Sequence, residues 1–191
     1  MTRLIAGDAG GLTLHTPDSR TRPTTGRTRE ALFSRLDARL DFTDLRVLDL
    51  FAGSAALGLE AISRGAEQLV AVEKGRTAAS IAARNAREVA RAMPHRTVHI
   101  DVVPQRVETW LAQAPRDHFD LVFIDPPYDL DNAALTQVLV DLLPALATAA
   151  DVVIERSMRS GTFAWPDGYR EVAARRYGET MLWFAEGRLE A

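Results

Sequence analysis

The sequence contains no cysteine, a single lysine (Lys74) and no hydrophobic run long enough to span a membrane. Without cysteine, disulfide bonds and thiolate metal sites are excluded, and a reducing compartment fits the composition. The four histidines show no metal-ligand spacing. Polar residues interrupt the N-terminal segment, so it does not resemble a signal peptide. We therefore expect a soluble, monomeric cytoplasmic protein with neither a metal ion nor a membrane as partner.

The charge of the chain is unevenly spread. Over 191 residues the formal net charge is −3, and 47% hydrophobic residues suffice for one globular core. Residues 1–39 hold seven arginines against four acidic residues, a net +3, so the remainder carries −6. A basic arm on an acidic body indicates an anionic partner met at one end, and the planar guanidinium suits phosphate. An ordinary solvated surface, or a genome that favours arginine, would give the same bias.

Alternating strand and helix patterns predict an α/β fold. Residues 3–15 predict a hairpin around Gly10-Gly11, and residues 29–40 an amphipathic helix. The strand candidates are 46–51, 68–72, 97–100, 119–124 and 151–155. The helix candidates are 55–64, 76–92, 105–113 and 132–147, the last with Asp131 as its N-cap. This alternation predicts a mostly parallel sheet with helices on both faces, closed by an antiparallel pair at 169–176 and 179–185.

The tetrapeptide Asp125-Pro126-Pro127-Tyr128 directly follows the apolar run 119–124. Such a run is typical of a buried strand, and the two prolines cannot continue its hydrogen-bond ladder, so the chain must leave the sheet there. An acid, a carbonyl fixed by proline and an aromatic ring are thereby held at the carboxyl end of a strand, where open α/β sheets bind ligands. Acceptors beside a stacking ring suit a planar base that carries an exocyclic amine.

The first strand of the predicted sheet runs into a turn of small residues. This turn lacks the Gly-Lys-Ser/Thr of a P-loop, and Gly53 and Gly58 are too few for a dinucleotide fingerprint. Asp49 lies within the strand end, where a buried carboxylate needs a partner such as the ammonium group of a ligand. Glu73 follows the second strand, where an acid commonly accepts hydrogen bonds from ribose hydroxyls, although alone it would more simply be a surface residue. Together with Asp125 these acids end three strands at one edge of the sheet, which favours a shared site over coincidence.

Three motifs carry a resemblance to a known family. Residues 47–54 (Val-Leu-Asp-Leu-Phe-Ala-Gly-Ser) resemble the Rossmann-like class I S-adenosylmethionine-dependent methyltransferases, and Asp-Pro-Pro-Tyr is similar to their amino-group methylation motif. Residues 22–33 (Arg-Pro-Thr-Thr-Gly-Arg-Thr-Arg-Glu-Ala-Leu-Phe) are similar to those of the RsmD family, which methylates a guanine N2 in bacterial 16S ribosomal RNA. The resemblance covers nearly the whole chain. It implies a basic RNA-binding extension at residues 1–40, a catalytic domain at 41–191, and the small ribosomal subunit or its assembly intermediate as partner.

The same resemblance implies roles for individual residues. The methionine end of S-adenosylmethionine would lie against Asp49, Phe51, Ala52, Gly53 and Ser54, its ribose against Glu73, and its adenine against Asp101 or, as an alternative, Gln105. Asp125 and the Pro126 carbonyl would accept hydrogen bonds from the target amine, while Tyr128 would stack on the flipped guanine. The residues implied to contact RNA phosphates are Arg20, Arg22, Arg27 and Arg29.

Ala55 departs from the family pattern, because it stands where glycine is expected in the cofactor turn. If the backbone there needs a positive φ, alanine costs about 1 kcal/mol. Two other functions remain open. A DNA adenine or cytosine amino-methyltransferase would use the same tetrapeptide, but such enzymes usually carry a separate target-recognition domain. A non-catalytic RNA-binding relative would leave Asp49, Glu73 and Asp125 without a role, and Ala55 is its best support.

Overall fold

The computed structural model describes residues 1–17 and 26–188. Its strands are β1 (Thr2–Arg3), β2 (Thr13–Leu14), β3 (Arg46–Leu50), β4 (Gln68–Val72), β5 (His99–Val103), β6 (Phe119–Ile124), β7 (Leu146–Ser157), β8 (Tyr169–Tyr177) and β9 (Thr180–Gly187). Its α-helices are α1 (Gly26–Asp37), α2 (Ala56–Arg64), α3 (Arg76–Ala92), α4 (Val107–Leu111) and α5 (Asn132–Leu142). No helix among these residues is long and apolar enough to cross a membrane.

Seven strands form one sheet in the order β5-β4-β3-β6-β7-β9-β8, and the short β1 and β2 pair separately. The strands β3 to β7 run parallel, whereas β9 is antiparallel to both β7 and β8. The chain order reverses between β3 and β6, and ligands bind outside the carboxyl ends of strands at such a switch point. The predicted fold class is confirmed.

Helices cover both faces of the sheet because the parallel strands are apolar on both sides. One core cluster joins the sheet to α1, α2 and α3, and a second joins it to α4 and α5. The central strand β6 is almost entirely buried, with Leu121 and Phe123 in the first cluster and Val122 and Ile124 in the second. This alternation is what a strand buried on both faces requires.

The N-terminal hairpin is attached to α2 through buried polar groups. The Glu60 carboxylate, fully buried, accepts hydrogen bonds from the backbone N–H groups of Ile5 (2.7 Å) and Ala6 (3.0 Å). Gly7 lies so close to α2 that an added Cβ would sit 1.9 Å from the Ser63 carbonyl oxygen. Because Leu4 and other residues of this hairpin join the first core cluster, residues 1–17 pack as part of the same globule.

The main differences from the predicted elements lie in α5, β5 and α1. The helix predicted to reach residue 147 ends at Leu142, because Pro144 cannot donate to the helical ladder, and β7 already begins at Leu146. Strand β5 spans His99–Val103 instead of the predicted 97–100, so it lies further toward the C-terminus. Helix α1 begins at Gly26, before its predicted start. The N-cap of α5 is confirmed, since the Asp131 carboxylate accepts a 2.7 Å hydrogen bond from the Ala134 N–H.

Candidate active site

A cavity of about 1140 Å³ lies at the carboxyl ends of β3, β4 and β6. Its walls are the turn after β3, the end of β4, the loop after β6, the start of α4 and the N-terminal segment that ends at Pro17. The sequence-predicted residues that line it are Asp49, Phe51, Ala52, Gly53, Ser54, Glu73, Asp125, Pro126, Tyr128 and Arg29. The structure therefore joins the cofactor turn and the Asp-Pro-Pro-Tyr loop in one space.

Asp49 is a buried carboxylate with few partners. It is 2% exposed, and the backbone N–H of Gly58 donates to it over 3.0 Å. Burial raises the pKa of Asp49 to about 7; the Gly58 hydrogen bond opposes this rise, and the charge of Glu73 adds to it. Among the residues that the structure describes, no cation forms an ion pair with Asp49. A cationic ligand group would therefore lower the electrostatic cost of ionising this carboxyl.

The turn after β3 is held in an unusual backbone conformation. Phe51, Gly53 and Ala55 all have positive φ, at 59°, 55° and 60°. Left-handed conformations of non-glycine residues are strained and concentrate at functional sites. At Gly58 the constraint is packing, since an added Cβ would lie 2.4 Å from the Leu69 side chain. The turn thus presents its backbone to the cavity while α2 lies close against the sheet.

Ala55 occupies a left-handed position, as expected for a residue that replaces glycine. The strain costs about 1 kcal/mol. Its methyl group is fully buried in the first core cluster, which offsets about 0.8 kcal/mol, and alanine also restricts the unfolded chain more than glycine does. These opposing contributions are of similar size. The departure from glycine is therefore compatible with an intact cofactor turn.

Glu73 links the two neighbouring turns at the cavity. One carboxylate oxygen accepts a hydrogen bond from the Gly53 N–H (3.0 Å) and the other from the Gly75 N–H (2.7 Å). These bonds fix the orientation of the carboxylate at the end of β4, where it lines the cavity. Each carboxylate oxygen keeps a further lone pair for a hydroxyl donor of a ligand.

Hydrogen bonds from Arg156 and within the loop hold the Asp-Pro-Pro-Tyr loop in place. The guanidinium of Arg156, a residue that is 5% exposed, donates to the Leu130 carbonyl over 2.9 Å, and the Leu130 N–H donates to the Pro127 carbonyl over 3.0 Å. Tyr128 lines the cavity and is 66% exposed. The ring therefore stands at the mouth of the cavity, where it remains accessible to a planar ligand.

Asp125 lies among other acids. The register of β6 and β7 pairs Ile124 with Ile154, so Asp125 and Glu155 follow at neighbouring strand positions. Burial, then the charges of Glu155 and Asp49, raise the pKa of Asp125 well above its usual range. A ligand that donates hydrogen bonds to Asp125 would favour its ionised form and counteract this shift.

Asn85 is a site residue that sequence reasoning missed. It is fully buried on α3, accepts a hydrogen bond from the His15 N–H (2.9 Å), and donates to the carbonyls of His15 (2.9 Å) and Ser54 (3.0 Å). It therefore ties the N-terminal wall of the cavity to the cofactor turn. The available signal was an amide among the alanines on the buried face of an amphipathic helix, since a buried amide must find hydrogen-bond partners.

Asp101 does not reach the cavity, and this prediction needs correction. Because β5 extends to Val103, Asp101 lies in the middle of that strand, where it is exposed. The alternative, Gln105, accepts a hydrogen bond from Gln113 on the surface and does not line the cavity either. Val107, flanked by Arg106 and Glu108, lines this wall instead.

The four arginines predicted to contact RNA have different positions. Arg20 and Arg22 lie outside the described residues, and Arg27 is exposed at the start of α1. Arg29 is only 4% exposed and donates to the Thr2 hydroxyl (2.6 Å) and the Arg3 carbonyl (2.5 Å). Since its terminal nitrogens already hold the N-terminal strand, we correct its predicted role from a surface phosphate contact to support of the cavity wall.

Comparisons with known proteins agree with this geometry. Residues 2–186 match the family described as "Conserved hypothetical protein 95". The chain is 34% identical over 163 residues to ribosomal RNA small subunit methyltransferase D of Escherichia coli K12, covering 83% of this chain and 76% of that protein. A solved structure described as "Putative methyltransferase yhhF from Escherichia coli" superposes with a TM-score of 0.79 at 25% identity, covering 98% of both chains. A hypothetical protein of Thermus thermophilus gives a TM-score of 0.78 at 34% identity, covering 97% of this chain and 99% of that one.

Proposed function

The chain belongs to the family described as Conserved hypothetical protein 95, the RsmD family that its sequence resembles, and on that premise we propose that it methylates a guanine N2 in small-subunit ribosomal RNA. S-adenosylmethionine is the methyl donor. The observation that carries the proposal is that the acidic cofactor turn and the Asp-Pro-Pro-Tyr loop open into one cavity. Either feature alone would leave the reaction undefined.

The residues of the turn fit the cofactor, which supplies an electrophilic methyl group on its sulfur atom. The methionine ammonium group would pair with Asp49, the buried carboxylate that lacks a cation among the described residues. Backbone groups of residues 51–54 would contact the methionine end, and Glu73 would accept hydrogen bonds from the ribose hydroxyls. Val107 would pack against the adenine.

The loop after β6 would hold and orient the target base. The lone pair of a guanine amine is delocalised into the ring, which makes the nitrogen a poor nucleophile. Asp125 and the Pro126 carbonyl would accept the two amine hydrogens and so favour the orientation in which the lone pair faces the methyl group. Positioning and electrostatics then account for the rate, without a covalent bond to the protein. Tyr128, exposed at the mouth, would stack on the base after it leaves the RNA helix.

We also propose a functional division between residues 1–40 and residues 41–191. The first part would contact RNA through Arg20, Arg22 and Arg27, giving an affinity that falls with salt. The second part would bind the cofactor and the target base. The division concerns function, since the described residues of the N-terminal part share the first core cluster with the sheet. The partner would be the small subunit or an assembly intermediate of it, bound by one copy of the chain.

The proposal is tested by incubating the protein with labelled S-adenosylmethionine and small subunits that lack the modification. Nuclease digestion should release N2-methylguanosine. Label on adenine or cytosine, or transfer to DNA alone, would contradict the assignment. A parallel assay on naked 16S ribosomal RNA identifies which form of the RNA is the substrate.

A further inference from the structure

We infer that Arg159, Arg175 and Arg176 form a second RNA-contact surface beside the cavity. We call this surface the C-terminal rim. The inference rests on the proposed function, because it assumes an RNA substrate. It assigns part of that RNA to a region that the family motifs do not include. It follows from three properties of these arginines: their position, the positive charge that the described residues leave largely unneutralised, and the exposed apolar groups next to them.

The first property is position, because hydrogen bonds connect the rim to the loop that carries Tyr128. Asn132 donates to the carbonyls of Ser160 (3.1 Å) and Thr162 (2.9 Å), which holds the segment after β7 against the start of α5. The Met158 N–H donates to the Glu179 carbonyl over 2.9 Å, which joins the same segment to the β8–β9 turn. The catalytic loop, the segment 158–162 and the β8–β9 turn therefore form one continuous surface.

The strand register sets the distance of the rim from the site. Arg176 of β8 lies opposite Met181 of β9, and Met181 lies opposite Arg156 of β7. Neighbouring strands are about 4.8 Å apart, so Arg176 lies roughly 10 Å from β7 and roughly 14 Å from β6, measured across the sheet. Arg176, Met181 and Arg156 lie at the carboxyl edge of the sheet, where β6 ends before Asp125. Arg175 and Arg176 project from opposite faces of the edge strand β8, so they flank the end of that strand. An RNA segment with its target base in the cavity can therefore reach the rim.

The second property is charge that the protein does not neutralise. Arg175 donates to the Ala174 carbonyl (2.8 Å) and Arg176 to the Gly178 carbonyl (2.9 Å). Within the described parts of the chain, neither forms an ion pair with a carboxylate. Arg159, with 87% of its side chain exposed, meets Glu179 only at 3.8 Å. The three arginines and this one acid leave a net +2 on a protein whose overall charge is −3.

Two other exposed arginines on or near this sheet, in contrast, are neutralised by carboxylates. Arg39 pairs with Asp151 (2.7 Å) and Glu186, and Arg170 also pairs with Glu186. Those pairs connect the loop after α1 to β7 and β9, and β8 to β9, so they stabilise the fold. Apart from the 3.8 Å contact of Arg159 with Glu179, the rim arginines form no ion pair within the described residues, so their guanidinium groups remain available for phosphate oxygens.

The third property is the presence of exposed apolar groups between the rim and the cavity. Met158 is 42% exposed and Tyr128 is 66% exposed. Cationic side chains beside such groups suit RNA, because the cations bind phosphates while the apolar surfaces contact unstacked bases. An acidic protein surface would match the charge but would not use these apolar groups beside a base-binding cavity.

The test compares a rim variant with a matched control. The rim variant carries Arg159→Ala, Arg175→Ala and Arg176→Ala. The control carries Arg87→Ala, Arg91→Ala and Arg116→Ala, which removes the same charge from exposed positions on α3 and before β6. We expect the rim variant to bind naked 16S ribosomal RNA about tenfold more weakly, and the slope of log affinity against log salt to become shallower by about 2 to 3. Its affinity for S-adenosylmethionine should match that of the control.

Glu179→Gln provides a test in the opposite direction. It removes the acid that faces Arg159, so it should strengthen RNA binding two- to threefold.

Equal RNA binding by the rim and control variants would overturn the inference. Normal binding to naked RNA but weaker binding to the assembled subunit would overturn it too, because the rim would then contact a ribosomal protein. Binding is measured without turnover, so a wild-type protein that transfers no methyl group would refute the proposed function and leave this comparison valid.

Discussion

Aspartate carboxyls at the two edges of the central sheet have opposite electrostatic surroundings. At the amino edge, Arg46 donates three hydrogen bonds of 2.8–2.9 Å to the Asp120 carboxylate. Burial would raise the pKa of Asp120, but the hydrogen bonds from Arg46 outweigh burial and lower it. At the carboxyl edge, Asp49 and Asp125 have raised pKa values and, among the described residues, no ion-pair partner.

This difference separates an edge that stabilises the fold from the edge proposed to bind the cofactor and the target base. A carboxylate that is paired inside the protein favours the folded state, whereas a buried carboxylate without a cation disfavours it. The carboxyl edge keeps two such groups and also acquires charge from Glu155. The sheet therefore carries an electrostatic cost at the edge where a cationic cofactor and an amine donor would relieve it.

The largest expected effect that distinguishes the edges is on catalysis. Asp125→Asn should lower the methyl-transfer rate about 10²- to 10³-fold, because it removes a charged acceptor aimed at the reacting amine. Cofactor affinity, measured by calorimetry, should stay within a few-fold of the wild type. Asp120→Asn is the matched control: it should leave the rate unchanged and lower the free energy of unfolding by about 1 kcal/mol. A fast Asp125→Asn variant would contradict the role of Asp125.

Asp49→Asn should weaken cofactor binding and raise the free energy of unfolding. Losing the partner of the methionine ammonium should weaken S-adenosylmethionine binding about 100-fold. Because the folded-state pKa of Asp49, about 7, exceeds that of an ordinary aspartate, ionised Asp49 lowers stability fully above pH 7, and this destabilisation fades as the pH falls toward 4. The asparagine variant should lose this pH dependence and be more stable at pH 8, on the order of a few kcal/mol. Denaturant unfolding at pH 8 and pH 5 measures both effects; a less stable variant at pH 8 would show that the Asp49 charge is compensated.

A smaller effect is expected on the pH dependence of transfer. Asp125 must be ionised to offer the target amine a charged acceptor, so the rate at saturating cofactor should fall as the pH drops through the pKa of Asp125, which is raised well above the ordinary aspartate range. Glu155→Gln removes one cause of that rise and should move the acidic limb of the profile to lower pH. An unmoved limb would mean that Glu155 does not influence the group that titrates.

The smallest effect concerns backbone strain at the two edges. Left-handed non-glycine residues occur at both edges: Asp44, Asp117, Ala149 and Arg188 lie at the amino edge, and Phe51 and Ala55 lie at the carboxyl edge. Ala55→Gly removes strain but also a buried methyl group, so the free energy of unfolding should change by less than about 0.5 kcal/mol. Cofactor affinity should change less than threefold. A stabilisation above about 1 kcal/mol would show that the strain dominates.

Local sequence predicted the elements that end at the cavity most accurately. Strand β4, strand β6 and helix α3 have the predicted bounds. Each combines a clear apolar pattern with a clear end signal, as where Pro126 and Pro127 stop β6. The bounds of β5 were wrong because this edge strand is only partly buried, so its alternation is weak, and the error displaced Asp101 from its predicted place.

The missed and misplaced residues are those whose role depends on contacts distant in sequence. Asn85 touches His15 across 70 positions, and Arg29 touches Thr2 and Arg3 across 27 and 26. Nothing local distinguishes a buried arginine from one that reaches solvent. The N-terminal arginines therefore looked equivalent in sequence, although α1 turns one of them inward.

The sequence by itself determined the parallel α/β architecture and the acids at the ends of β3, β4 and β6, because periodicity and proline act over a few residues. Only the tertiary structure decided which charges are neutralised. Three features depend on strand order: the pairing of Arg46 with Asp120, the absence of such a partner for Asp49 in the described parts of the chain, and the position of Arg176 beside the end of β7. Electrostatic energy follows distance in space, and a fold brings together residues that the chain keeps far apart.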